Sequence, residues 1–254
     1  MKIIRKKNIS SREIKNYWED RTVTIKDLYY RDLNISFASQ YLNKTQRVLD
    51  IGCGNGYNTV KYARHVKEID GRDYSSRMIK SAKAKLKRSK LRNLSFDTGN
   101  VLDFSPAKKY DVVIAERLLV NLQTFDQQKQ AIKNIHSWLK AKGLYLMAEA
   151  SFQGHDKLDE LRNTFGLPKV KKHWHNLYID EVGIAPFLKK HFKIVKIQRF
   201  GMYNFISKII HPLLVNPAEP RFDAKINKIA MQIAEKIPNF QDASHHVIYV
   251  LRKK

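Results

Sequence analysis

The chain has 254 residues, of which 48 are lysine or arginine and 24 are aspartate or glutamate, so its formal net charge is +24. Its length and its hydrophobic content of 43% fit one globular α/β domain, and no apolar run approaches the roughly 20 residues of a membrane helix. The single cysteine, Cys53, excludes an internal disulfide and fits a reducing cytosol, so we predict a cytoplasmic protein without a membrane span.

Residues 1–46 are predicted to form a helical cap ahead of the first strand. Ser10 and Glu13 have the spacing of a capping box, which marks the start of a helix. Groups of aromatic and basic residues follow at 17–21 and 29–31.

The organising feature of the chain is a glycine-rich turn between an apolar strand at 47–51 and a following helix. Gly52, Gly54 and Gly56 form the turn, where glycine lets the backbone bend sharply or approach a ligand closely. The unpaired N–H groups at the helix start face this turn, so a nucleotide-like ligand is predicted there. A dinucleotide fingerprint requires G-x-G-x-x-G, but Gly56 comes one place early and Asp50 opens a D-x-G-x-G-x-G pattern.

This pattern resembles motif I of the class I S-adenosylmethionine (SAM) methyltransferases, which implies that the turn holds the methionine end and the ribose of SAM. The segment 71–75 is similar to the G-x-D-x-S stretch of that family. The resemblance assigns Asp73, which follows a second strand predicted over 66–72, to the ribose hydroxyls, with Asp70 as the alternative. Ser75 is predicted to cap the next helix.

The resemblance also assigns the adenine end of the cofactor. A third strand is predicted over 94–98, and the residues after it would hold the ring, with Asn100 at the amino group and Val101 against the ring face. Met78 would pack near the same ring.

In the N-terminal cap, the resemblance implies that Arg21 reaches the methionine carboxylate. Tyr17, Trp18 and the segment 29–31 are candidates to cover the cofactor, although Trp18 could equally pack a helix against the core. The residues implied to contact SAM are Trp18, Arg21, Asp50, Gly52, Cys53, Gly54, Gly56, Asp73, Tyr74, Met78, Asn100, Val101 and Glu116.

The acceptor of the methyl group is expected where a fourth strand, predicted over 110–115, ends. Ligand sites of open α/β sheets lie at the carboxyl ends of the strands, which places Glu116 and Arg117 at the acceptor unless they cap the following helix. A fifth strand is predicted to end at Glu149 and to bring this residue and Gln153 to the same rim.

The loop 172–178 is dense in polar aromatic side chains. His173 and His175 could bind a metal ion, but a His-x-His pair without a nearby cysteine or paired carboxylate is a weak signal, so no metal is predicted. The candidates for a general base, in order, are Glu116, His175 and Glu149. The residues expected to contact the substrate are Arg117, Asn121, Gln153, His173, Asn176, Tyr178 and Tyr203.

The resemblance implies a Rossmann-like α/β fold, with the seven-stranded class I methyltransferase sheet, mostly parallel, and helices on both faces. The last strand is expected to be antiparallel and to close the sheet at its edge. The remaining elements are predicted as a helix over 126–139 that ends in a glycine cap at Gly143, and strands over 144–149, 193–200 and 246–251.

One domain is predicted over 1–254, made of three regions. After the cap come a SAM-binding core at 47–150 and a substrate-side half at 151–254. The substrate-side half carries an insertion at about 201–239, which is predicted to act as a lid.

The leading hypothesis is a SAM-dependent methyltransferase that acts on a small, anionic metabolite, with O-methylation favoured. The positive charge would attract anionic partners, but the lysines are spread over the whole chain, and a solvated surface explains them equally well. The alternative is an RNA methyltransferase that docks through its basic surface. The chain has no Asn/Asp-Pro-Pro-Tyr-type motif after the fourth strand, which counts against methylation of base amino groups. A SAM-binding regulatory protein without turnover is the non-enzymatic alternative.

Overall fold

A computed structural model of the protein describes residues 13, 14, 16, 17, 27–215, 221–240 and 242–254. Within these residues, one seven-stranded sheet has the strand order β3-β2-β1-β4-β5-β7-β6. The strands are β1 Arg47–Ile51, β2 Glu68–Asp73, β3 Leu94–Thr98, β4 Tyr110–Glu116, β5 Leu139–Ala150, β6 Phe192–Gln198 and β7 His246–Lys253. The helices are α1 Leu28–Ser39, α2 Tyr57–Tyr62, α3 Ser76–Ser89, α4 Phe125–Trp138, α5 Phe152–Thr164, α6 Glu181–His191, α7 Gly201–Phe205, α8 His211–Leu214 and α9 Lys225–Lys236. A 3-10 turn spans Leu119–Asn121, and a π-helical turn spans Ile206–Ile210.

Both faces of the sheet are buried. Successive residues of a strand point to opposite faces, so neighbouring residues of the central strands belong to different core clusters. In β1, Val48 belongs to one core cluster and Leu49 to another, and both are fully buried. In β4, Val112 and Val113 divide between the same two clusters. The strands β1 to β5 pair in parallel, so their carboxyl ends meet along one edge of the molecule. The predicted fold class is confirmed.

The position of the last strand differs from the prediction. β7 does not close the sheet at its edge but lies between β5 and β6, antiparallel to both. Residues 247–251 are all buried, which suits a strand that has neighbours on both sides. β6 exposes most of its middle residues and forms the edge instead.

The predicted glycine cap at Gly143 is also wrong. Helix α4 ends at Trp138 and runs directly into β5 at Leu139. The pairing register of β4 and β5 then shifts, so that residues 140–143 bulge out before the regular ladder resumes. Gly143 lies in this bulge, where a Cβ atom would come within 3.1 Å of the backbone oxygens of Asp111 and Lys140. Close backbone approach therefore explains the glycine.

Smaller differences concern the ends of elements. β2 begins two residues later than predicted and includes Asp73, β6 begins at Phe192 and stops at Gln198, and β7 continues to Lys253. The predicted cap of α3 is confirmed, because the Ser75 hydroxyl accepts a hydrogen bond from the Met78 N–H at 3.2 Å. The predicted capping box begins at Ser10, which lies outside the described residues.

The described part of the 201–239 segment packs against α1. Tyr203, Ala230 and Ala234 belong to the same core cluster as Leu33 and Phe37 of α1. This part of the chain is therefore integrated into one face of the sheet. In the described part of the chain, no helix combines the length and the apolar character that crossing a membrane requires.

Candidate active site

A pocket opens at the carboxyl ends of β1, β2 and β4. It brings together most of the side chains that the sequence analysis selected, from segments that are up to 126 residues apart in the chain. The predicted residues that line it are Asp50, Gly52, Cys53, Gly54, Asp73, Tyr74, Met78, Glu116, Arg117, Asn121, His173, His175 and Asn176.

A second cleft adjoins the pocket and shares Gly52, Tyr74, Leu118 and Asn121 with it. Asn100 and Val101 line this cleft, as the assignment to an adenine ring requires. Its remaining walls are largely apolar and come from Ile14, Ile51, Gly99, Leu102, Leu122, Gln123 and Gln127. A largely apolar cleft beside a polar pocket suits a ligand with a ring at one end and charged groups at the other.

The glycine turn has the conformation that the motif requires. Gly52, Gly54 and Gly56 all have positive φ angles, of 79°, 53° and 73°. The N–H groups of Gly52 and Cys53 donate to the Arg72 carbonyl at 2.7 and 3.0 Å, which ties the turn to β2. Gly56 does not line the pocket. It precedes α2, and a Cβ atom there would lie 2.6 Å from the Phe96 ring.

Asp73 holds the turn and the start of α3 together. One carboxylate oxygen accepts from the Gly54 N–H and the other from the Ser75 N–H, both at 2.9 Å. The alternative residue, Asp70, lies elsewhere: its carboxylate accepts from the hydroxyls of Ser95 and Tyr110. Of these two acids, only Asp73 lines the pocket.

Asp50 is the most deeply buried acid of the pocket, with 4% of its surface exposed. The Thr59 hydroxyl donates to it at 2.6 Å. Burial raises the pKa of Asp50 to about 7, against the effect of the Thr59 hydrogen bond, and the charges of Glu116 and Asp73 raise it further. Its charge therefore changes close to neutral pH.

Glu116 is held by two donors from α2. The Asn58 amide donates to one carboxylate oxygen at 2.9 Å, and the Tyr62 hydroxyl donates to the other. Burial raises the pKa of Glu116, while these hydrogen bonds and the nearby charge of Arg117 oppose the shift. Arg117 has a left-handed backbone with φ of 52°, and burial lowers its pKa.

The contribution of α2 to the site was not predicted from the sequence. Tyr57 and Asn58 line the pocket, and Tyr62 lies beneath Glu116. Arg31 belongs to the segment 29–31, which was a candidate to cover the cofactor. It also lines the pocket, and its guanidinium lies 3.4 Å from the centre of the Tyr57 ring. For Tyr57, Asn58 and Tyr62, the only signal in the sequence was their position on the helix that follows the glycines.

Glu149 does not line the pocket, contrary to its selection as a general base. It is fully buried, and its carboxylate accepts three hydrogen bonds from the N–H groups of Leu118, Leu119 and Val120, at 3.0, 2.8 and 3.1 Å. It thereby caps the 3-10 turn after β4. Burial raises the pKa of Glu149, although the three N–H groups act in the opposite direction.

Three predicted substrate residues also lie outside the pocket lining. The amide of Gln153 donates to Asp180 at 2.6 Å and accepts from the Glu181 N–H at 2.9 Å. Tyr203 is fully buried, and its hydroxyl donates to Asp27. Gln153 and Tyr203 are therefore held in internal hydrogen bonds.

The third predicted substrate residue outside the pocket lining is Tyr178, whose hydroxyl accepts a hydrogen bond from the His173 N–H at 3.2 Å. The loop that carries it is fixed to the rim of β4, because the Leu177 N–H donates to the Val120 carbonyl at 2.7 Å. His175 is 5% exposed, and its ring lies 4.3 Å from that of Tyr17. Trp18 and Arg21, predicted to contact the cofactor, lie outside the described residues.

No group of three or more histidine, cysteine, aspartate or glutamate side chains in the described ranges is placed to hold a metal ion. Cys53 lines the pocket, and burial, together with the charges of Asp50 and Asp73, raises the pKa of its thiol well above the usual value. The thiol is therefore protonated at neutral pH and is a poor nucleophile.

Comparison with known proteins points to one family. The family model described as a methyltransferase domain matches residues 42–182, which is more than half of the chain. The malonyl-[acyl-carrier protein] O-methyltransferase of Halalkalibacterium halodurans is 31% identical over 131 residues, covering 49% of this chain and 45% of that protein. A protein of the same description from Ilyobacter polytropus is 27% identical over 154 residues, covering 60% and 54%. The chain thus spans about half the length of the curated relatives it matches.

Solved structures show the same fold at low sequence identity. The N-methyltransferase NodS of Bradyrhizobium japonicum, in complex with S-adenosyl-L-homocysteine (SAH), is 17% identical, with a TM-score of 0.61 and coverage of 94% of this chain and 98% of that one. The magnesium protoporphyrin IX methyltransferase of Synechocystis PCC 6803, with bound SAH, is 14% identical, with a TM-score of 0.57 and coverage of 98% and 90%. At sequence identities of 17% and 14%, the structural similarity establishes the fold alone.

Proposed function

The chain belongs to the methyltransferase domain family as a class I SAM-dependent enzyme, and we propose that it methylates an oxygen atom of a small, anionic metabolite. The observation that carries this proposal is the pair Glu116 and Arg117, adjacent in sequence and both in the lining of one pocket at the end of β4. A carboxylate there can face the cationic cofactor, and a guanidinium can face an anionic acceptor.

The residues present fit SAM. We assign the glycine turn and Asp50 to the methionine end, Asp73 to the ribose, and the apolar cleft with Asn100 and Val101 to the adenine. The fit rests on the absence of side chains at Gly52 and Gly54, on the buried acids beside them, and on the cleft that continues from the pocket. When bound, SAM supplies a methyl group on a sulfonium sulfur, which the acceptor oxygen takes as it loses its proton.

Two of the three predicted bases, Glu116 and His175, line the pocket. Both oxygens of Glu116 already accept hydrogen bonds, from Asn58 and Tyr62, so we assign this carboxylate to the electrostatic stabilisation of the cationic cofactor. His175 lines the same pocket, and we assign it to the proton of the acceptor hydroxyl. The main contribution of the protein is then to align the two reactants and to exclude water.

The preference for an oxygen acceptor with an acidic group is supported by two observations. Arg31 and Arg117 both line the pocket, which favours an anion near the transferred methyl group. The two curated relatives compared above are described as malonyl-[acyl-carrier protein] O-methyltransferases.

The test uses radiolabelled SAM and an extract of the native cells, separated into a metabolite fraction and an RNA fraction. We expect label in small, acidic products, and we expect Arg117→Gln to raise the extract concentration needed for half-maximal transfer by at least tenfold. Lys129, which is paired with Asp126 on the exposed surface of α4, provides the control variant Lys129→Gln, with no expected change.

Two results would contradict the proposal. Label in RNA, with an affinity that falls steeply as salt increases, would establish the RNA methyltransferase alternative instead. SAH binding without any labelled product would indicate a regulatory protein.

A further inference from the structure

Two arginine side chains line the pocket without an acid partner. Arg31 comes from α1, and Arg117 directly follows β4. Within the residues that the structure describes, neither guanidinium forms an ion pair or donates a hydrogen bond. A buried arginine is almost always paired, so this arrangement indicates a place for a ligand. We refer to these two side chains as the arginine pair.

Arg31 is the deeply buried member of the arginine pair, with 6% of its surface exposed. Its Nε atom is enclosed and has no partner, so a ligand cannot reach that atom. The two terminal nitrogens also have no partner in the described part of the chain, but they are not enclosed. Because Arg31 lines the pocket, these terminal nitrogens are the donors that a ligand can contact.

The ring of Tyr57 fixes the orientation of the Arg31 guanidinium. The central carbon of the guanidinium lies 3.4 Å from the ring centre, which is a stacking distance. The Nζ atom of Lys61 lies 4.7 Å from the same ring centre and keeps its own acid partner, Asp32, at 2.6 Å. A stacked guanidinium holds its terminal N–H groups in one plane, as a rigid fork. Tyr57 is therefore a positioning residue for Arg31.

The acids near the arginine pair leave its donors free. The charges of both arginines act on Glu116, but the two oxygens of that carboxylate accept from Asn58 and Tyr62. The charge of Glu149 also acts on Arg117, but the Glu149 carboxylate accepts from three backbone N–H groups. The N–H groups of the pair are thus available to an anionic group of a ligand.

The arginine pair lies at the acceptor end of the pocket. Arg117 is adjacent in sequence to Glu116, at the end of β4, and the charge of Arg31 acts on both of these residues. This is the place that the proposed function gives to the acceptor. The anionic group that completes the pair is therefore assigned to the acceptor.

Most backbone N–H groups of the glycine turn are already used within the protein. The donors and their acceptors are Gly52 and Cys53 to the Arg72 carbonyl, Gly54 to Asp73, Gly56 to the Cys53 carbonyl and Tyr57 to Asn55. A phosphate presents oxygens in several directions and is commonly held by a nest of free N–H groups. A carboxylate is planar and is satisfied by the fork of a guanidinium. The geometry therefore favours a carboxylate over a phosphate.

We propose that the arginine pair binds a carboxylate of the acceptor, and that the acceptor is a hydroxy carboxylic acid whose hydroxyl oxygen is methylated. This inference rests on the proposed function, because it names the class of acceptor for the same pocket. An O–C bond forms at the hydroxyl, the S–C bond of SAM breaks with its electron pair left on sulfur, and the hydroxyl proton leaves to His175 or to water. The carboxylate stays unmodified and holds the acceptor in place.

The first experiment masks the carboxylates of the metabolite fraction. One half is treated with a water-soluble carbodiimide and glycinamide, which convert carboxylic acids into neutral amides, and is then quenched with 2-mercaptoethanol. The control half receives carbodiimide that was quenched beforehand, and labelled SAM and protein are added to both halves afterwards. We expect methyl transfer to the treated half to fall at least tenfold. Transfer that survives the treatment would overturn the inference, because an acceptor without a carboxylate would have been used.

Two further treatments test other acidic groups. Alkaline phosphatase, removed by ultrafiltration before the assay, should leave the transfer unchanged, and a loss of transfer would show that the required group is a phosphate. The labelled product is also incubated in dilute alkali, which hydrolyses methyl esters of carboxylic acids but leaves methyl ethers intact. Release of labelled methanol would show that the carboxylate itself had been methylated. Either of these results would overturn the inference.

The second experiment compares two variants of Arg31. Arg31→Gln removes the charge, and Arg31→Lys keeps the charge but removes the planar fork. We expect both variants to raise the half-saturating extract concentration at least tenfold, with SAH affinity within twofold of wild type. Wild-type behaviour of either variant would overturn the inference. A tenfold loss of SAH affinity would assign Arg31 to the carboxylate of the cofactor and would also overturn it.

Variants of Tyr57 test the positioning role. Tyr57→Leu removes the ring on which Arg31 is stacked, and Tyr57→Phe keeps it. We expect Tyr57→Leu to raise the half-saturating extract concentration without lowering the maximal rate, and Tyr57→Phe to recover most of the loss. Equal behaviour of the two variants would show that the ring does not orient Arg31. If Arg31→Gln does not fold, as judged by its thermal transition, this pair of variants decides the matter.

The control for these variants is Arg64→Gln. Arg64 is exposed and lies between α2 and β2, at the amino ends of the parallel strands and so opposite the pocket. It should behave like the wild type in both assays.

Binding of SAH by calorimetry separates this inference from the proposed function. If the protein fails to bind SAH, or binds it and labels no small molecule, the proposed function itself fails. If SAH binds and small-molecule labelling persists after the carbodiimide treatment, only the inference about the acceptor fails.

Discussion

The hydroxyl of Tyr62 donates a hydrogen bond to the carboxylate of Glu116, although 54 residues separate them in the chain. Tyr62 is fully buried at the end of α2, and Glu116 is the last residue of β4. The bond fixes the carboxylate at the pocket, and Asn58 supplies the second donor. The helix that follows the glycine turn therefore has two roles: its start faces the ligand, and its inner face orients an acid.

Tyr62→Phe should weaken the binding of SAM by roughly tenfold, and Glu116→Gln by more. A hydrogen bond to a charged group contributes about 1.5–3 kcal/mol, which corresponds to roughly ten- to a hundredfold in affinity. Isothermal titration calorimetry without acceptor measures the effect. Tyr145→Phe is the matched control, because the Tyr145 hydroxyl is buried but has no partner. Equal SAM affinities of Tyr62→Phe and wild type would show that the hydrogen bond from Tyr62 is not needed to orient the Glu116 carboxylate.

The affinity for SAM should fall as the pH drops below about 7. Asp50 has a pKa of about 7, so acid protonates it and removes a negative charge from the neighbourhood of a cationic ligand. Binding of the cation is then linked to loss of a proton, and the affinity changes by at most about tenfold per pH unit. SAH lacks the sulfonium charge and should show a weaker dependence.

Asp50→Asn tests the assignment of that pH dependence. Calorimetry at pH 6, 7 and 8 should give a flatter profile for this variant than for the wild type. A profile that keeps its full slope in Asp50→Asn would assign the titration to another group.

Gly56→Ala should cost more stability than Gly166→Ala. Both glycines have positive φ angles, of 73° and 67°, which costs a side chain about 1–2 kcal/mol. At Gly56 the new Cβ would also lie 2.6 Å from the Phe96 ring and 2.9 Å from Ala82, whereas at Gly166 it would meet nothing within 4 Å. Overpacking adds about 1–3 kcal/mol. Urea unfolding of both variants measures the difference, and equal losses would show that the Phe96 ring moves aside freely.

Glu149→Gln should lower stability by about 2–4 kcal/mol without changing the turnover of the folded enzyme. The carboxylate accepts three N–H groups, and a glutamine would present its own N–H₂ to at least one of these donors. Chemical denaturation and turnover per folded molecule are both needed, with Glu160→Gln on the exposed face of α5 as control. A variant of normal stability that has lost turnover would restore Glu149 as a base.

Cys53 should react slowly with iodoacetamide at pH 8 in comparison with free glutathione. Its thiol pKa is raised well above the usual value, and only the thiolate reacts. Because the chain has a single cysteine, the change in mass of the intact protein reports this reaction alone. Labelling as fast as that of glutathione would show that burial and the acids beside Cys53 do not raise the pKa of its thiol.

The sequence determined the parts of the site that are built from neighbouring residues. The glycine turn, the acid that opens it at Asp50, the acid at the end of β2 and the cap at Ser75 all follow from a strand, a turn and a helix in succession. Their backbone angles and end groups are local properties, and local chemistry constrains them strongly. The mostly parallel sheet was implied by the resemblance to class I methyltransferases, and the edge on which the pocket lies follows from the general position of ligand sites at the carboxyl ends of strands.

Only the tertiary structure decided which distant segments meet. The place of β7 between β5 and β6, the capture of Glu149 by three N–H groups, and the bond from Tyr62 to Glu116 all join residues far apart in the chain. The ring contacts of His245 with His155 and His246 include one of the same kind, because His155 and His245 are also far apart in the chain. Such contacts depend on how the whole core packs, and the identity of a polar residue does not reveal whether the fold will give it a partner or leave it for a ligand.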